Sequence, residues 1–255
     1  MARPTQTESA ALLAHAASEG YWFRAKEDIV SGYLRPHVTS DARVVVLGVG
    51  NGATVARIRR RASSCAIEGL DVDPGALELC ASRDPRGIYR LADLETDPIG
   101  QPDGTDVVVA LDVLEHLEDD QGAVGRIAAC LKPGGVLVVN VPAHPWLFGD
   151  HDVRLGHVRR YRPREAEALV RAAGLEVVHA TPLFMTTLLL LVVWRKLVQG
   201  ALGVQPRRSD VSLALPRPLD AALYLVARLE GWVSHARLPF GSSHLVVARK
   251  PPDRP

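Results

Sequence analysis

Cysteine, aromatic residues and net charge are all scarce in this sequence. The three cysteines, Cys65, Cys80 and Cys130, are widely spaced and form no C-x-x-C pair. This argues against a disulfide framework or a zinc site built from thiolates, and it suits a reducing compartment. Aromatic residues make up 5% of the 255 residues, and the formal net charge is +1. No nucleic-acid partner is expected, because an extended basic surface with interleaved aromatic residues is missing.

Apolar runs long enough to cross a bilayer are also missing. The most apolar stretch, residues 183–194, is interrupted by Thr186 and Thr187, and a membrane span needs about 20 apolar residues. Residues 10–17 are only mildly apolar and contain His15, so no signal peptide is expected. The hydrophobic fraction of 47% is ample for the core of one elaborated α/β domain. These features predict a cytoplasmic protein.

The most informative stretch is residues 44–52, which read Val-Val-Val-Leu-Gly-Val-Gly-Asn-Gly. The apolar run predicts a strand buried on both faces, and the glycines let the backbone turn sharply beside a ligand. A helix that begins near Thr54 would point its free N–H groups at that ligand. The run fits the dinucleotide pattern G-x-G-x-x-G/A and also the pattern G-x-G-x-G, so the turn alone does not identify the cofactor.

Strands and helices alternate along the rest of the chain, which predicts a mostly parallel sheet with right-handed crossovers. The segments after residue 142 differ in character. Residues 143–162 are rich in His, Asp and Arg and predict a long loop, and residues 205–218 predict a Pro/Arg-rich linker. Strands are predicted at 43–47, 66–71, 88–91, 106–111, 136–141, 175–180 and 243–249, and helices at 21–34, 54–61, 163–173 and 219–233, with others after residues 73 and 112.

Five motifs in this order resemble a class I S-adenosylmethionine (SAM)-dependent methyltransferase over residues 20–180 and the last strand. The motifs are the glycine turn, Asp71 at the end of strand two, Ala92-Asp93-Leu94, the run at 110–117 (ALDVLEHL) and the run at 131–135 (LKPGG). The early Tyr21-Trp22-Phe23-Arg24 is similar to the opening of a branch of small bacterial methyltransferases.

This resemblance implies an α/β fold of Rossmann-like type. The expected sheet is doubly wound, seven-stranded and mostly parallel, with helices on both faces, strand seven antiparallel and a helical insertion between strands six and seven. The implied organisation is an N-terminal helical cap at 1–40, a SAM-binding core at 41–182 and 241–255, and an apolar insertion at 183–240.

The resemblance also implies SAM as the cofactor. Asp71 would accept the ribose hydroxyls, and Asp93 would lie beside the adenine amino group. One position departs from the family: Val46 stands where an acidic residue usually meets the methionine part of SAM. The expected cofactor-binding residues are Tyr21, Arg24, Gly48, Gly50, Gly52, Asp71, Val72, Asp93, Leu94, Leu111 and Asp112.

The loop at 143–162 should face the crevice at the carboxyl ends of the strands. His151 or His157 is the expected general base, because a neutral histidine can take a proton near pH 7. His116 is more often structural at such a position, and the loop charges also suit a purely solvated surface. Asp150, His151 and Asp152 are adjacent and seldom converge on one ion, so no metal is expected. The expected substrate-binding residues are His144, Trp146, Arg159, Arg160 and Tyr161.

The function predicted from these features is methyl transfer to a small-molecule acceptor with a hydrophobic body and a polar or anionic end, such as a prenyl or lipid-like metabolite. The apolar insertion would serve as a lid, an acceptor pocket or a peripheral membrane contact. Two alternatives stay open. One is a catalytically inactive SAM-binding regulatory protein, and the other is an NAD-binding oxidoreductase.

Overall fold

Seven strands form one sheet in the order β3-β2-β1-β4-β5-β7-β6. The computed structural model describes residues 20–193, 216–234 and 238–252. The strands are β1 (Arg43–Leu47), β2 (Ala66–Asp71), β3 (Ile88–Leu91), β4 (Thr105–Leu111), β5 (Leu131–Pro142), β6 (Glu176–Leu183) and β7 (Ser243–Arg249).

Eight α-helices and two short 3-10 turns connect the strands in the described part of the chain. The helices are α1 (Tyr21–Leu34), α2 (Ala53–Arg61), α3 (Pro74–Arg83), α4 (Asp120–Cys130), α5 (Asp150–Leu155), α6 (Pro163–Ala172), α7 (Met185–Val193) and α8 (Arg217–Val233), and the 3-10 turns are Leu114–His116 and Pro145–Leu147.

The predicted sheet topology is confirmed. β1 to β5 pair in parallel, and β7 lies antiparallel to both β5 and β6. The strand order reverses between β1 and β4, because the chain runs outward through β2 and β3 and then returns to the other side of β1. In open parallel sheets, ligands bind beside the carboxyl ends of the strands at this kind of switch point.

The sheet is covered on both faces, which explains the continuous apolar strands. Alternate residues of β1 enter opposite cores, with Val44 and Val46 in one cluster and Val45 and Leu47 in the other. Helices α1, α2 and α3 pack on the first face, and α4 and α6 pack on the second. Such burial on both sides is typical of strands in doubly wound sheets.

Several predicted boundaries need correction. The run Lys132–Gly135 is an irregularity inside β5, where the pairing with β4 jumps from Thr105 to Val107, so it does not lie outside the strand. Residues 143–162 contain the helix α5 as well as a 3-10 turn. Strand β6 runs further than predicted, to Leu183.

The predicted linker at 205–218 lies mostly outside the described residues. Its last two positions, Arg217 and Pro218, begin α8, since proline is favoured in the first turn of a helix. Within the described ranges, no helix is both long enough and apolar enough to cross a membrane.

Helix α1 is fixed to the insertion between β6 and β7 through α8. The Arg24 guanidinium pairs with the Asp220 carboxylate, and Tyr224 donates a hydrogen bond of 2.6 Å to Asp28. The same Asp28 carboxylate also pairs with Arg57 of α2, at 2.9 Å. The N-terminal helix therefore joins the insertion to the helix that follows the glycine turn.

Leu137 tests the importance of the core relative to the edge of the sheet. Its side chain in β5 is 0% exposed, whereas Leu91 at the edge strand β3 is 58% exposed. Leu137→Ala should lower the free energy of unfolding by about 2–5 kcal/mol, because a buried cavity is left behind. Leu91→Ala should change it by less than about 0.5 kcal/mol. Urea titrations of the two variants measure the difference, and equal losses would contradict this description of the core.

Candidate functional site

The glycine turn after β1 has the left-handed backbone that its sequence predicts. Gly48, Gly50 and Gly52 have positive φ values of 65°, 49° and 76°. A Cβ atom on Gly48 would lie 2.7 Å from the Val113 Cγ2 atom, so a larger residue cannot fit without displacement. The turn is held by a 2.8 Å hydrogen bond from the Gly48 N–H to the Leu70 carbonyl. The backbone is therefore exposed to a ligand in a fixed shape.

Asp71 lies at the end of β2, directly beside this turn. One carboxylate oxygen accepts the Gly50 N–H at 3.1 Å, and the other accepts the Asp73 N–H at 3.0 Å. Burial raises the pKa of Asp71, although these backbone hydrogen bonds oppose the shift. Each oxygen keeps a further lone pair for a hydroxyl donor. The carboxylate is therefore free to accept hydrogen bonds from two ribose hydroxyls, as the sequence predicts.

Apolar side chains line the next part of the crevice. Val72, after β2, is 65% exposed, and Leu91, at the end of the paired strand β3, is 58% exposed. Exposed apolar side chains at adjacent strand ends suit the face of an aromatic base. Asp93 follows closely, and its side chain accepts the Glu95 N–H at 2.9 Å. Leu94 is buried, and its carbonyl accepts a hydrogen bond of 2.8 Å from Arg126.

Asp112 occupies the end of β4 in a left-handed conformation, with φ of 55°. Its carboxylate pairs with Lys26 of α1 and accepts the Asn140 side-chain amide at 2.7 Å. The Asp112 N–H donates to the Asn140 carbonyl at 2.9 Å. Non-glycine residues in such a conformation cluster at functional sites. Leu111, the residue before it, packs against the first core cluster.

Glu27 is a candidate site residue that the sequence analysis did not include. It lies on α1, and its carboxylate accepts a hydrogen bond of 2.9 Å from the Thr54 hydroxyl at the start of α2. Burial raises the pKa of Glu27, against the opposing influence of Lys26. Val46, in contrast, is buried in the core at 2% exposure. A carboxylate is therefore present near the glycine turn, but a helix supplies it and β1 does not.

Tyr21 and Arg24, two of the predicted cofactor-binding residues, contact helix α8, and their role with SAM stays a prediction. The Arg24 guanidinium pairs with Asp220 of α8 and stacks over the Tyr224 ring at 4.7 Å. Tyr21 donates its N–H to Asp220 at 2.7 Å. The cation of α1 that lies at the strand ends is Lys26, whose ammonium packs over the Trp22 ring at 4.5 Å.

Arg160 and Tyr161 serve the structure of the segment 143–162. The Arg160 guanidinium donates to Asp152 at 2.7 Å, and its side chain is only 8% exposed. The Tyr161 hydroxyl donates to Asp120 at 2.7 Å and to the Leu114 carbonyl at 3.1 Å. Both side chains thus make internal contacts, and their predicted role in substrate binding stays a prediction.

Arg159 is the more accessible of the two predicted arginine anchors. It pairs with Asp120 at 3.0 Å and borders an open pocket of about 650 Å³ between α4 and α6. That pocket includes none of the three turn glycines. It is therefore separate from the cofactor crevice.

His144 and Trp146 lie at the 3-10 turn that follows β5, and His151 lies on α5. His144 has a positive φ of 65°, and its ring centroid is 5.6 Å from that of Trp146, which is 63% exposed. Burial lowers the pKa of His144. His151 is half-buried on α5, next to the fully buried Asp152. These positions agree with the predicted edge of the sheet, and the substrate and base roles of the residues stay predictions.

His157, which follows α5, belongs to a buried polar group. The other members are Asp152 of α5 and Glu115 of the 3-10 turn after β4. Its Nδ1 atom lies 2.9 Å from the Asp152 carboxylate, and its Nε2 atom lies 3.9 Å from the Glu115 carboxylate. The hydrogen bonds from His157 and Arg160 outweigh burial and lower the pKa of Asp152 to about 2. Burial and the Asp112 charge raise the pKa of Glu115 well above its usual range.

Comparison with known proteins agrees with this geometry. Residues 45–137 match the model of a family described as a methyltransferase domain. A probable S-adenosylmethionine-dependent methyltransferase of Mycolicibacterium smegmatis is 33% identical over 165 residues, which cover 63% of this chain and 62% of that protein. Residues 45–137 are thus similar to a methyltransferase domain, and the relative matched over the longer segment is named as SAM-dependent.

Two further relatives show how far the similarity extends. A trans-aconitate 2-methyltransferase of Methylobacterium radiotolerans is 38% identical over 97 residues, which cover 38% of this chain and 36% of that protein. The crystal structure of the cyclase SpnF has a TM-score of 0.64 at 18% identity, covering 96% of this chain and 94% of that one. The chain thus spans about a third to two thirds of the length of these two sequence relatives, and the structural match supports the fold alone.

SAM is the cofactor of this methyltransferase class, and the residues present fit it. The glycine turn leaves no room for a Cβ atom at Gly48, and Asp71 offers acidic oxygens to the ribose beside it. Val72 and Leu91 offer an exposed apolar surface to the adenine. Gly48, Gly50, Gly52 and Asp71 are therefore the residues that would hold the nucleoside.

Asp71→Asn should weaken SAM binding by roughly 1–3 kcal/mol, because the ribose loses a charged hydrogen-bond acceptor. Asp103→Asn, at an exposed surface ion pair with Lys250, is the matched control and should leave affinity unchanged. The raised Asp71 pKa also predicts that wild-type affinity falls as the pH is lowered, because the carboxylate protonates, whereas the asparagine variant should not show this loss. Calorimetry with SAM and NAD measures both effects, and binding of NAD without SAM would contradict the assignment.

Proposed function

We propose that the protein transfers a methyl group from SAM to a small-molecule acceptor. The observation that carries this proposal is the hydrogen bond between the Asp71 carboxylate and the Gly50 N–H, within the segment 45–137 that matches the methyltransferase domain. This hydrogen bond joins the glycine turn after β1 to the acidic residue at the end of the neighbouring strand β2. The relatives described above are named methyltransferases, which favours transfer over cofactor binding alone.

The main task of the protein in this reaction is to hold SAM and the acceptor in the correct relative position. Bound SAM supplies a methyl group that its sulfonium already activates. The glycine turn and Asp71 fix the nucleoside, so the methyl group would be held in one place relative to the crevice. Effective positioning of this kind accounts for a large part of the rate in two-substrate reactions.

Glu27 is our candidate for the partner of the SAM amino group. It supplies a half-buried carboxylate near the glycine turn, where Val46 cannot. Lys26, on the same helix, is the nearby cation suited to the SAM carboxylate, in place of Arg24. Its pairing with Asp112 already places it at the strand ends.

Glu27→Gln should therefore weaken SAM binding while leaving 5′-methylthioadenosine binding unchanged, because the latter has no amino-acid portion. The expected loss for SAM is about 1–3 kcal/mol, as for other charged hydrogen bonds. Glu78→Gln, at an exposed position of α3, is the matched control. Isothermal calorimetry with both ligands separates the two outcomes. An equal loss for both ligands would assign Glu27 a purely structural role.

The acceptor is proposed to be hydrophobic with a polar or anionic end. Helix α8 carries an exposed apolar stripe formed by Leu225, Leu229 and Trp232, which are 61%, 62% and 81% exposed. Their spacing of four and three residues places them on one helix face. An exposed tryptophan beside leucines is typical of a helix that lies in a membrane interface. We propose that this stripe makes peripheral membrane contact from which a lipid-like acceptor enters.

An acceptor screen tests the function and the stripe together. Wild-type protein should release S-adenosylhomocysteine with a hydrophobic acceptor, and more rapidly when the acceptor is embedded in phosphatidylcholine–phosphatidylglycerol vesicles. Trp232→Ser should reduce co-sedimentation with the vesicles and the vesicle-dependent rate, but not SAM affinity. Glu78→Gln, at an exposed position of α3, is the control for turnover.

Two outcomes would contradict either the proposed membrane contact or the proposed methyltransferase activity. Release of S-adenosylhomocysteine that is equally fast from free and embedded acceptors, with no co-sedimentation, would leave the methyltransferase and remove the membrane contact. SAM binding without turnover on any acceptor would favour a SAM-binding regulatory protein.

A further inference from the structure

The 3-10 turn after β4 and the segment after α5 bring together three potential metal ligands, which we name the Glu115–His116–His157 cluster. One ligand atom from each residue lies within 4.8 Å of the other two. Glu115 is 0% exposed, and neither of its carboxylate oxygens accepts a hydrogen bond from the described part of the chain. A buried carboxylate without hydrogen bonds is unfavourable unless another group compensates its charge.

Both histidines are held in the orientation that metal ligands need. The His157 Nδ1 atom lies 2.9 Å from the Asp152 carboxylate, and the His116 Nδ1 atom lies 3.3 Å from the Gly156 carbonyl. An oxygen acceptor at Nδ1 fixes the proton there and leaves the Nε2 lone pair available. The His157 Nε2 atom lies 3.9 Å from the Glu115 Oε1 atom.

We propose that the Glu115–His116–His157 cluster binds one divalent transition-metal cation. Two imidazoles and one carboxylate favour zinc, iron, cobalt or manganese over calcium and magnesium, which prefer oxygen ligands alone. Zinc–ligand bonds of about 2.0–2.2 Å put two ligands of one tetrahedral ion roughly 3.3–3.6 Å apart. The three ligand atoms lie within 4.8 Å of one another, with His157 and Glu115 3.9 Å apart, so they would draw together when the cation binds.

Asp152 completes the site as the residue that positions His157. Its carboxylate accepts hydrogen bonds from Arg160 at 2.7 Å and from the Gly149 N–H at 3.0 Å, and it is fully buried. A carboxylate behind a ligating histidine sets the ring orientation and strengthens the ligand. The site is thus built before the cation arrives. His116, which is exposed, leaves a route for entry from solvent.

The location suggests a use that rests on the proposed function, although the metal binding itself does not. Glu115 and His116 follow Asp112 at the carboxyl edge of the sheet, on the rim of the cofactor crevice. Three protein ligands leave coordination positions open. An acceptor oxygen can occupy one of them, and the cation would lower the pKa of a bound hydroxyl. His157 would then be a metal ligand, not the general base.

Metal titration of tag-free, chelator-treated protein is the direct test. Cobalt(II) should bind with a stoichiometry of one and give the intense visible absorption of a low-symmetry site with histidine ligands. Zinc(II) should displace it, as followed by loss of that absorption. No spectral change beyond that of hydrated cobalt, together with no heat of zinc binding, would overturn the proposal.

Variants locate the bound cation. His116→Gln removes an exposed ligand and should weaken cobalt binding at least tenfold, and Glu115→Gln should do the same through the loss of charge. Asp152→Asn should weaken it by about 10- to 100-fold, since it disturbs the orientation of His157. His37→Gln, near the opposite edge of the sheet, is the control and should bind cobalt normally.

Folding and cofactor binding are checked separately in each variant by circular dichroism and SAM calorimetry. His116→Gln should keep both, so a loss of cobalt binding in this variant cannot come from unfolding. Equal cobalt affinity in wild type and His116→Gln would overturn the site. SAM binding without metal binding contradicts this inference alone, whereas metal binding without SAM binding contradicts the proposed function alone.

Discussion

Asp112 joins three elements at the carboxyl edge of the sheet, and the arrangement of the crevice depends on it. Its left-handed backbone, with φ of 55°, costs on the order of 1 kcal/mol or more, which its contacts must offset. Lys26 reaches it from α1, and the Asn140 side chain reaches it from β5. The contact with Lys26 places α1 over the glycine turn, where Glu27 meets Thr54. The turn that carries Glu115 begins directly after Asp112.

The fold could be predicted where its signals are local. Buried apolar runs and glycine turns identify β1 and its neighbours, since a strand covered on both faces needs little information from elsewhere. The segment 143–162 was predicted as loop for an equally physical reason. Its polar residues resemble a solvated surface, but Asp152, His157 and Arg160 satisfy one another inside the protein. Sequence shows that such residues are polar and does not show that they are paired.

The residues of the candidate site also fall into two groups, those that the sequence places and those that it does not. Gly48, Gly50 and Asp71 lie at strand ends, so the order of strands is enough to bring them together. Glu27 belongs to a helix whose position is set by contacts remote in the chain, and Arg24 finds its partner Asp220 across 196 positions. An arginine beside aromatic residues gives no sign of which carboxylate it will meet. Contacts of this kind follow from helix packing. The sequence pattern shows which face of a helix is buried, but it does not show which residues that face will contact.

The departure at Val46 changes how cofactor binding is connected to the rest of the protein. A carboxylate on β1 would be fixed by the sheet, whatever the position of α1. Glu27, as the proposed substitute, is in place only when α1 is docked, and α1 is docked through Asp112 on one side and Asp220 of α8 on the other. Two events that share one docked helix stabilise each other, because coupling between sites is reciprocal. Cofactor binding would then favour the same arrangement of α8 that presents the apolar stripe, so that the cofactor and acceptor sides of the crevice are linked through a single helix.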